Sequence, residues 1–210
     1  YKEITEMKEK AFEMGAFLFK SINGISFFYE KIIKFLIFGN VLKNNTYPLS
    51  VSAERVVQAL KIINYAKKNN IRYIAHGSTG AGNDQVRFDT IFKILAPEIE
   101  IITPIRDNSL SREQEIKYLK SMGISLKWEK AKYSINKGLW GTTVGGDETL
   151  TSNKKLPEIA YPSKLLKKSP TDVSIGFKNG EICSINGNKY DSVSCIRKLN
   201  TLASQYCIGR

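Results

Sequence analysis

The run His76-Gly77-Ser78-Thr79-Gly80-Ala81-Gly82-Asn83-Asp84-Gln85-Val86-Arg87 holds the densest set of chemically useful residues in the sequence. Its glycines let a backbone approach a ligand closely and turn N–H groups toward it. Thr79 and Asn83 add side-chain donors where a helix is expected to begin, and a helix start favours an anion by roughly 0.3–1 kcal/mol. Asp84 discriminates between ligands, because a carboxylate disfavours a bare phosphate and suits an ammonium group. Asn83 and Arg87 stand i, i+4 on one helical face, so Arg87 can clamp a carboxylate near Asn83. Thr79, Asn83, Asp84 and Arg87 therefore read as a grip for an amino acid, with opposed charges side by side. The competing reading is a glycine turn followed by an Asn/Asp helix cap. The run matches neither Walker A nor G-x-G-x-x-G.

Two further segments carry hydroxyls in turn-rich contexts. Tyr133 to Gly146, with Ser134, Thr142 and Thr143 among glycines, reads as a long loop with little hydrophobic reason to be ordered; such loops are often functional, and an ordinary surface loop is the alternative. Tyr47-Pro48-Leu49-Ser50-Val51-Ser52 offers a phenol and two serines, with Ser52 the natural helix N-cap. The single histidine, His76, rules out a multi-histidine metal centre and is a weak general-base candidate. Cys183, Cys195 and Cys207 form no C-x-x-C pair, so neither a disulfide framework nor a zinc site is expected, and no metal-binding residue is assigned. They read as reduced core thiols of a cytoplasmic protein.

The elements that must position these residues follow from periodicity. Ile4, Met7, Ala11 and Met14 predict a helix over 2–14 that stops at Gly15. A second helix is expected from Phe27 to Lys43, and a third from Ser52 to Lys68 with Val56, Ala59, Leu60 and Ile63 on one side. Ile71–Ala75 reads as a strand feeding the glycine run, Gln85–Leu95 as a helix, and Ile99–Thr103 as a second strand. A helix opened by a Ser111/Gln114 capping box then runs to Gly123. This strand–helix alternation implies βαβ crossovers and a parallel sheet, with ligands at the carboxyl ends of the strands. Beyond residue 127 the pattern changes: a Pro-marked stretch, a hairpin around Asn179-Gly180, and a final helix over Ser192–Tyr206.

Composition sets outer limits. The 210 residues carry 32 Lys+Arg against 20 Asp+Glu, a net +12, with the ordinary 42% hydrophobic content of a globular chain. The lysines are scattered and not interleaved with aromatics, which favours a solvated basic surface over a nucleic-acid interface. No run is long and apolar enough for a membrane span, and no secretory signal pattern is present. The chain starts on Tyr1 and ends on Ile208-Gly209-Arg210, and we expect a fragment lacking both ends.

HGSTGAGNDQVRFD (76–89), APEIEIITPIRD (96–107), SREQEIKYLKSMGI (111–124), YSINKGLWGTTVGGDETLTS (133–152) and NNTYPLSVSAER (44–55) closely resemble the argininosuccinate synthase family. The resemblance implies an α/β fold. Residues 1–127 would form a parallel-sheet nucleotide-binding domain of the ATP-pyrophosphatase (adenine nucleotide alpha-hydrolase-like) type, and 128–210 part of an α+β synthetase domain. It implies a carbon–nitrogen ligase of arginine biosynthesis, cytoplasmic and, in the whole protein, homotetrameric. That enzyme joins citrulline to aspartate through a citrullyl-adenylate, consuming ATP, which Mg²⁺ accompanies, and releasing AMP and pyrophosphate. Carried over by position, Tyr47, Ser52, Asn83, Arg87, Ser134 and Thr143 would hold citrulline, Thr79, Asn83 and Asp84 aspartate, and Gly77 would lie against ATP.

The sequence departs from the family pattern in three respects. Its phosphate-binding loop of the type SGGLDTS and its C-terminal region are absent, so these residues alone are expected to be catalytically silent. Ala81 stands where Lys is common, removing a possible phosphate contact. Thr143 stands where Ser is common. The alternatives are another ATP-pyrophosphatase-type synthetase and a basic nucleic-acid-binding module.

Overall fold

The computed structural model describes residues 2–80, 82–124 and 133–209. Ala81 and the expected boundary after residue 127 lie outside them. In chain order the elements are α1 (Lys2–Glu13), α2 (Ile25–Phe28), a π-helical turn (Tyr29–Ile33), α3 (Lys34–Phe38), α4 (Ser50–Lys68), β1 (Tyr73–Ala75), α5 (Asn83–Leu95), β2 (Glu100–Ile102), α6 (Pro104–Asp107) and α7 (Arg112–Ser121). Then follow β3 (Ser134–Gly138), β4 (Gly141–Gly145), β5 (Ile175–Lys178), β6 (Glu181–Ile185), β7 (Asn188–Lys189) and α8 (Ser192–Ser204). They divide into two compact units, Tyr1–Gly24 with Lys61–Trp128 and Ile25–Leu60 with Glu129–Arg210.

In the first unit β1 and β2 pair in parallel, Tyr73 opposite Glu100 and Ala75 opposite Ile102, joined through α5. His76 N–H donates to Ile102 O (3.1 Å) and extends the ladder to the start of the glycine run. The expected strand–helix–strand unit is therefore present, with Ile74, Phe92, Ala96 and Ile99 buried in it. Helix α7 opens with the Ser111/Gln114 capping box read from the sequence: Ser111 Oγ accepts from Gln114 N–H while Gln114 Oε1 accepts from Ser111 N–H. Gly15 and Gly123, at φ +88 and +77, close α1 and α7 in left-handed caps. In each cap the following N–H reaches back five residues, to Ala11 O and Leu119 O. Ile4 and Met7 of α1, and Met14 just beyond it, are exposed.

The second unit has a core of Phe28, Tyr29, Ile33, Val57, Ile182, Ile185, Cys195 and Ile196. Burial pushes the Tyr29 phenol up to about 12, and its hydroxyl donates to Glu181 (2.8 Å). The helix expected over 27–43 stops at Phe38. Asn40 (φ 45) adopts the left-handed cap and Val41 N–H returns to Leu36 O, so the apolar run beyond it is not helical. The hairpin read around Asn179-Gly180 joins β5 to β6 through two left-handed residues (φ 51 and 81), the pattern an Asn-Gly turn favours. Asp191 caps α8 by accepting from Ser194 N–H at 3.0 Å.

Another expectation is overturned in this unit. Residues 133–146 are not a loop. β3 and β4 form a regular antiparallel hairpin from Ser134–Gly145 to Gly138–Gly141. Its glycines and hydroxyls give no apolar alternation, so its order comes from the backbone ladder and from what the hairpin packs on.

Candidate functional site

The glycine run leaves β1 at the carboxyl end of the parallel pair and enters α5 at Asn83, with Gly82 extended at the N-cap and no side chain capping it. Not every loop amide is available to a ligand. Ser78 N–H donates to His76 Nδ1 (3.3 Å) and Gly82 N–H to Thr79 O (3.3 Å). Among the described residues the N–H groups of Gly77, Thr79 and Gly80 have no protein acceptor.

Asp84 and Arg87, one turn apart, face each other. Arg87 Nη1 donates to Asp84 Oδ1 at 2.7 Å, with both side chains partly exposed. The two opposed charges are as close as the sequence reading required, but they pair with one another at i, i+3 rather than Arg87 turning toward Asn83. An amino acid placed here would exchange one ion pair for two. Asp84 can take an ammonium and Arg87 a carboxylate, from one amino acid or from two lying side by side.

Behind the loop lies a polar network that the sequence reading missed. Asp89 accepts from Arg106 (2.5 Å) and faces His76 Nε2 (3.2 Å). Arg106 also donates to Gln85 Oε1 (3.1 Å) and to the buried Thr103 hydroxyl (2.9 Å). Thr103 in turn donates to Asp107 (2.7 Å), and Gln85 Nε2 donates to Gly80 O (2.6 Å). Burial works to raise the Asp89 carboxyl, but hydrogen bonds from Arg106 and His76 outweigh it and hold it below the usual carboxylate range. His76 uses both ring nitrogens, Nδ1 on Ser78 and Nε2 on Asp89, which leaves no lone pair for a substrate proton. The signal was in the sequence: Gln85 and Asp89 are i, i+4 on α5, and Arg106 follows a strand's carboxyl end.

The remaining candidates gather in the second unit. The turn before α4 folds back through Lys43 N–H to Tyr47 O (2.8 Å), with Asn44 and Asn45 both at φ 56. Helix α4 starts at Ser50, so Ser52 is not the expected N-cap. It lies in the first turn, where its hydroxyl donates to Leu49 O (3.1 Å) and its N–H to the Tyr47 phenol oxygen (3.3 Å). Burial works to raise the Tyr47 phenol, but hydrogen bonds from Ser52, Ser50 and Val51 outweigh it and lower it.

The hairpin docks on this same stretch. Trp140 Nε1 donates to Pro48 O (2.9 Å) and Arg55 Nη2 to Asn136 Oδ1 (2.8 Å). Gly141 (φ +150) sits so close that a side chain's first carbon would lie 3.1 Å from Ser50 Cβ. Thr143 pairs with Asn136 and Ser134 with Gly145. The second unit thus brings Tyr47, Ser52, Ser134 and Thr143 into one docked assembly, and the first unit gathers Gly77, Thr79, Asn83, Asp84 and Arg87.

Residues 1–125 match the family model described as the arginosuccinate synthase N-terminal HUP domain. The chain belongs to the argininosuccinate synthase family. Its relatives include the argininosuccinate synthases of Sulfurisphaera tokodaii, 39% identical over 98% of this chain, Sulfolobus acidocaldarius, 38% over 98% of this chain, and Methanocaldococcus jannaschii, 37% over 100% of this chain. In each case the aligned region covers 53% of the relative, so the chain spans about half the length of these family members. The parallel pair with its connecting helix fits the nucleotide-binding α/β class of the family's N-terminal domain. Among the described residues no helix is long and apolar enough to cross a membrane.

Proposed function

We propose that this chain supplies the amino-acid and nucleotide contacts of an argininosuccinate synthase, a cytoplasmic and homotetrameric carbon–nitrogen ligase. Residues 1–127 would be the nucleotide-binding domain and 128–210 part of the synthetase domain. The observation that carries the reading is the Asp84–Arg87 ion pair at the start of α5, beside a glycine loop with unpaired amides. It sets an acidic group for the ammonium of one amino acid beside a guanidinium for the carboxylate of the other.

In the reaction proposed, the ureido oxygen of citrulline attacks the α-phosphorus of ATP, and the bond to pyrophosphate breaks. The aspartate ammonium then gives up a proton, the free amine attacks the ureido carbon of the citrullyl-adenylate, and AMP leaves. Thr79, Asn83 and Asp84 would hold aspartate, with Asp84 on its ammonium. Tyr47, Ser52, Asn83, Arg87, Ser134 and Thr143 would hold citrulline, with Arg87 on its carboxylate. Gly77 would lie along ATP. Mg²⁺ would accompany the nucleotide. Such a site accelerates by alignment, which can supply roughly 7–11 kcal/mol.

Titration of the chain with aspartate and citrulline, followed by amide NMR, tests this. Aspartate should shift Thr79, Asn83 and Asp84, and Asp84→Asn should abolish the response. Absence of any shift at millimolar amino acid, together with salt-steep RNA affinity, overturns it in favour of a basic nucleic-acid binder.

A further inference from the structure

Loops at the carboxyl ends of parallel strands are usually the loosest part of such a fold, because few backbone groups pair there. The loop over residues 76–80 departs from that rule. It is tethered by side chains at two points, Ser78 N–H on His76 Nδ1 and Gly80 O on Gln85 Nε2. Both tethers lead to one ion pair. His76 is held through Nε2 by Asp89, and Gln85 is held through Oε1 by Arg106, which itself bonds Asp89. The pair is fixed from behind: Arg106 Nη2 reaches the buried Thr103 hydroxyl, and Arg106 Nε lies 3.7 Å from Asp107.

We infer that Asp89 and Arg106 are positioning residues, which touch no ligand and set the direction of the glycine-loop backbone toward it. Three consequences of the geometry support this. With Ser78 N–H committed to His76, the loop amides left for a ligand among the described residues are those of Gly77, Thr79 and Gly80. With Gly80 O turned onto Gln85, the carbonyl does not face an incoming carboxylate or phosphate, where its partial negative charge would repel. And because Gln85 follows Asp84 directly, fixing the Gln85 side chain also fixes the turn of α5 that presents Asp84 and Arg87. A preorganised loop loses less conformational freedom when it binds.

The inference rests on the amino-acid reading of this loop. The experiment therefore takes two measurements on the full chain, one of which needs no ligand. Hydrogen exchange of the Ser78 amide reports the tether directly. Aspartate affinity by isothermal titration reports its effect on binding. In Arg106→Met and Asp89→Asn, Ser78 exchange should accelerate at least about tenfold while α7 and the β5–β6 hairpin keep their protection. Aspartate affinity should fall by about tenfold, since a loop that is no longer preorganised must be ordered on binding. Asp89→Glu, which keeps the charge, should restore most of both. Gln85→Met releases Gly80 alone and leaves the ion pair in place, so it decides the matter if the charge variants fail to fold. It should weaken aspartate binding without changing Ser78 exchange.

Unchanged Ser78 exchange in folded Arg106→Met, or aspartate affinity within twofold of the parent in every variant, overturns the inference. If the parent chain does not bind aspartate at all, the functional reading fails, and the exchange measurement still decides whether the tether exists.

Discussion

The glycine loop of the first unit and the β3–β4 hairpin of the second both carry candidate binding residues, yet they are held in opposite ways. The loop has almost no backbone ladder and depends on charged side chains converging behind it: Asp89, Arg106, His76 and Gln85. The hairpin has a full antiparallel ladder and is fixed from outside by an indole on a carbonyl and by backbone pressed close to α4. The difference teaches that order at a site can be made by ionic networks or by backbone pairing, and that the two respond differently to mutation and to pH.

The largest expected effect breaks the hairpin side. Trp140→Ala removes the bond to Pro48 and the packing of the indole on the second unit's core. It should cost about 3 kcal/mol, the low end for such truncations because the indole is only partly buried. Urea denaturation gives the stability loss, and Ser78 exchange should stay as it was. Next comes a matched pair of threonines. Thr103→Val leaves Arg106 and Asp107 without the buried hydroxyl and should cost about 2 kcal/mol. Thr143→Val, where the backbone ladder supplies the order, should change stability by no more than roughly 0.5 kcal/mol while weakening citrulline binding. Equal losses of stability in the two variants would erase the contrast.

The pH responses should have opposite signs. Asp89 and Asp107 are held below the usual carboxylate range, Asp107 chiefly by its bond with Thr103. A depressed carboxyl stabilises above its unfolded value, so the loop should lose protection as pH falls below about 4. Glu54 is raised by burial, against the pull of Arg55 and Gln58. A raised carboxyl destabilises once ionised, so the hairpin side should gain as pH falls through the Glu54 value. Residue-resolved exchange between pH 3 and 6, corrected for intrinsic rates, separates the two. The smallest effect sharpens this point: Glu54→Gln should raise stability at pH 7 by a few tenths of a kcal/mol and leave it unchanged near pH 3.

What could be read from the sequence follows the same division. The parallel crossover, the Ser111 capping box and the Asn179-Gly180 turn were legible because each is written in local periodicity or local hydrogen-bonding chemistry. The Asp84–Arg87 proximity was legible because helical spacing fixes it. The hairpin over 134–145 was not, because its side chains carry no alternation and its contacts, Pro48 and Arg55, lie far away in the sequence. The true start of α4 was hidden because Leu49, directly before it, adopts a left-handed φ of 57 that an apolar side chain does not announce. The end of α3 was hidden because Asn40 adopts a left-handed cap inside an apolar run. The Asp89–Arg106 pair joins residues on either side of β2, and only the pairing of the strands brings them together.

The closeness of the hairpin to α4 also sets which substitutions a lineage can sample there. At position 141, φ of +150 and the nearby Ser50 Cβ both exclude a side chain, and Ser50 Cβ is bolted to the helix backbone and cannot yield. At 138 the obstacle is only the tip of the Glu54 side chain, which can swing aside. A saturation library selected for folding should therefore return glycine nearly alone at 141 and small residues at 138.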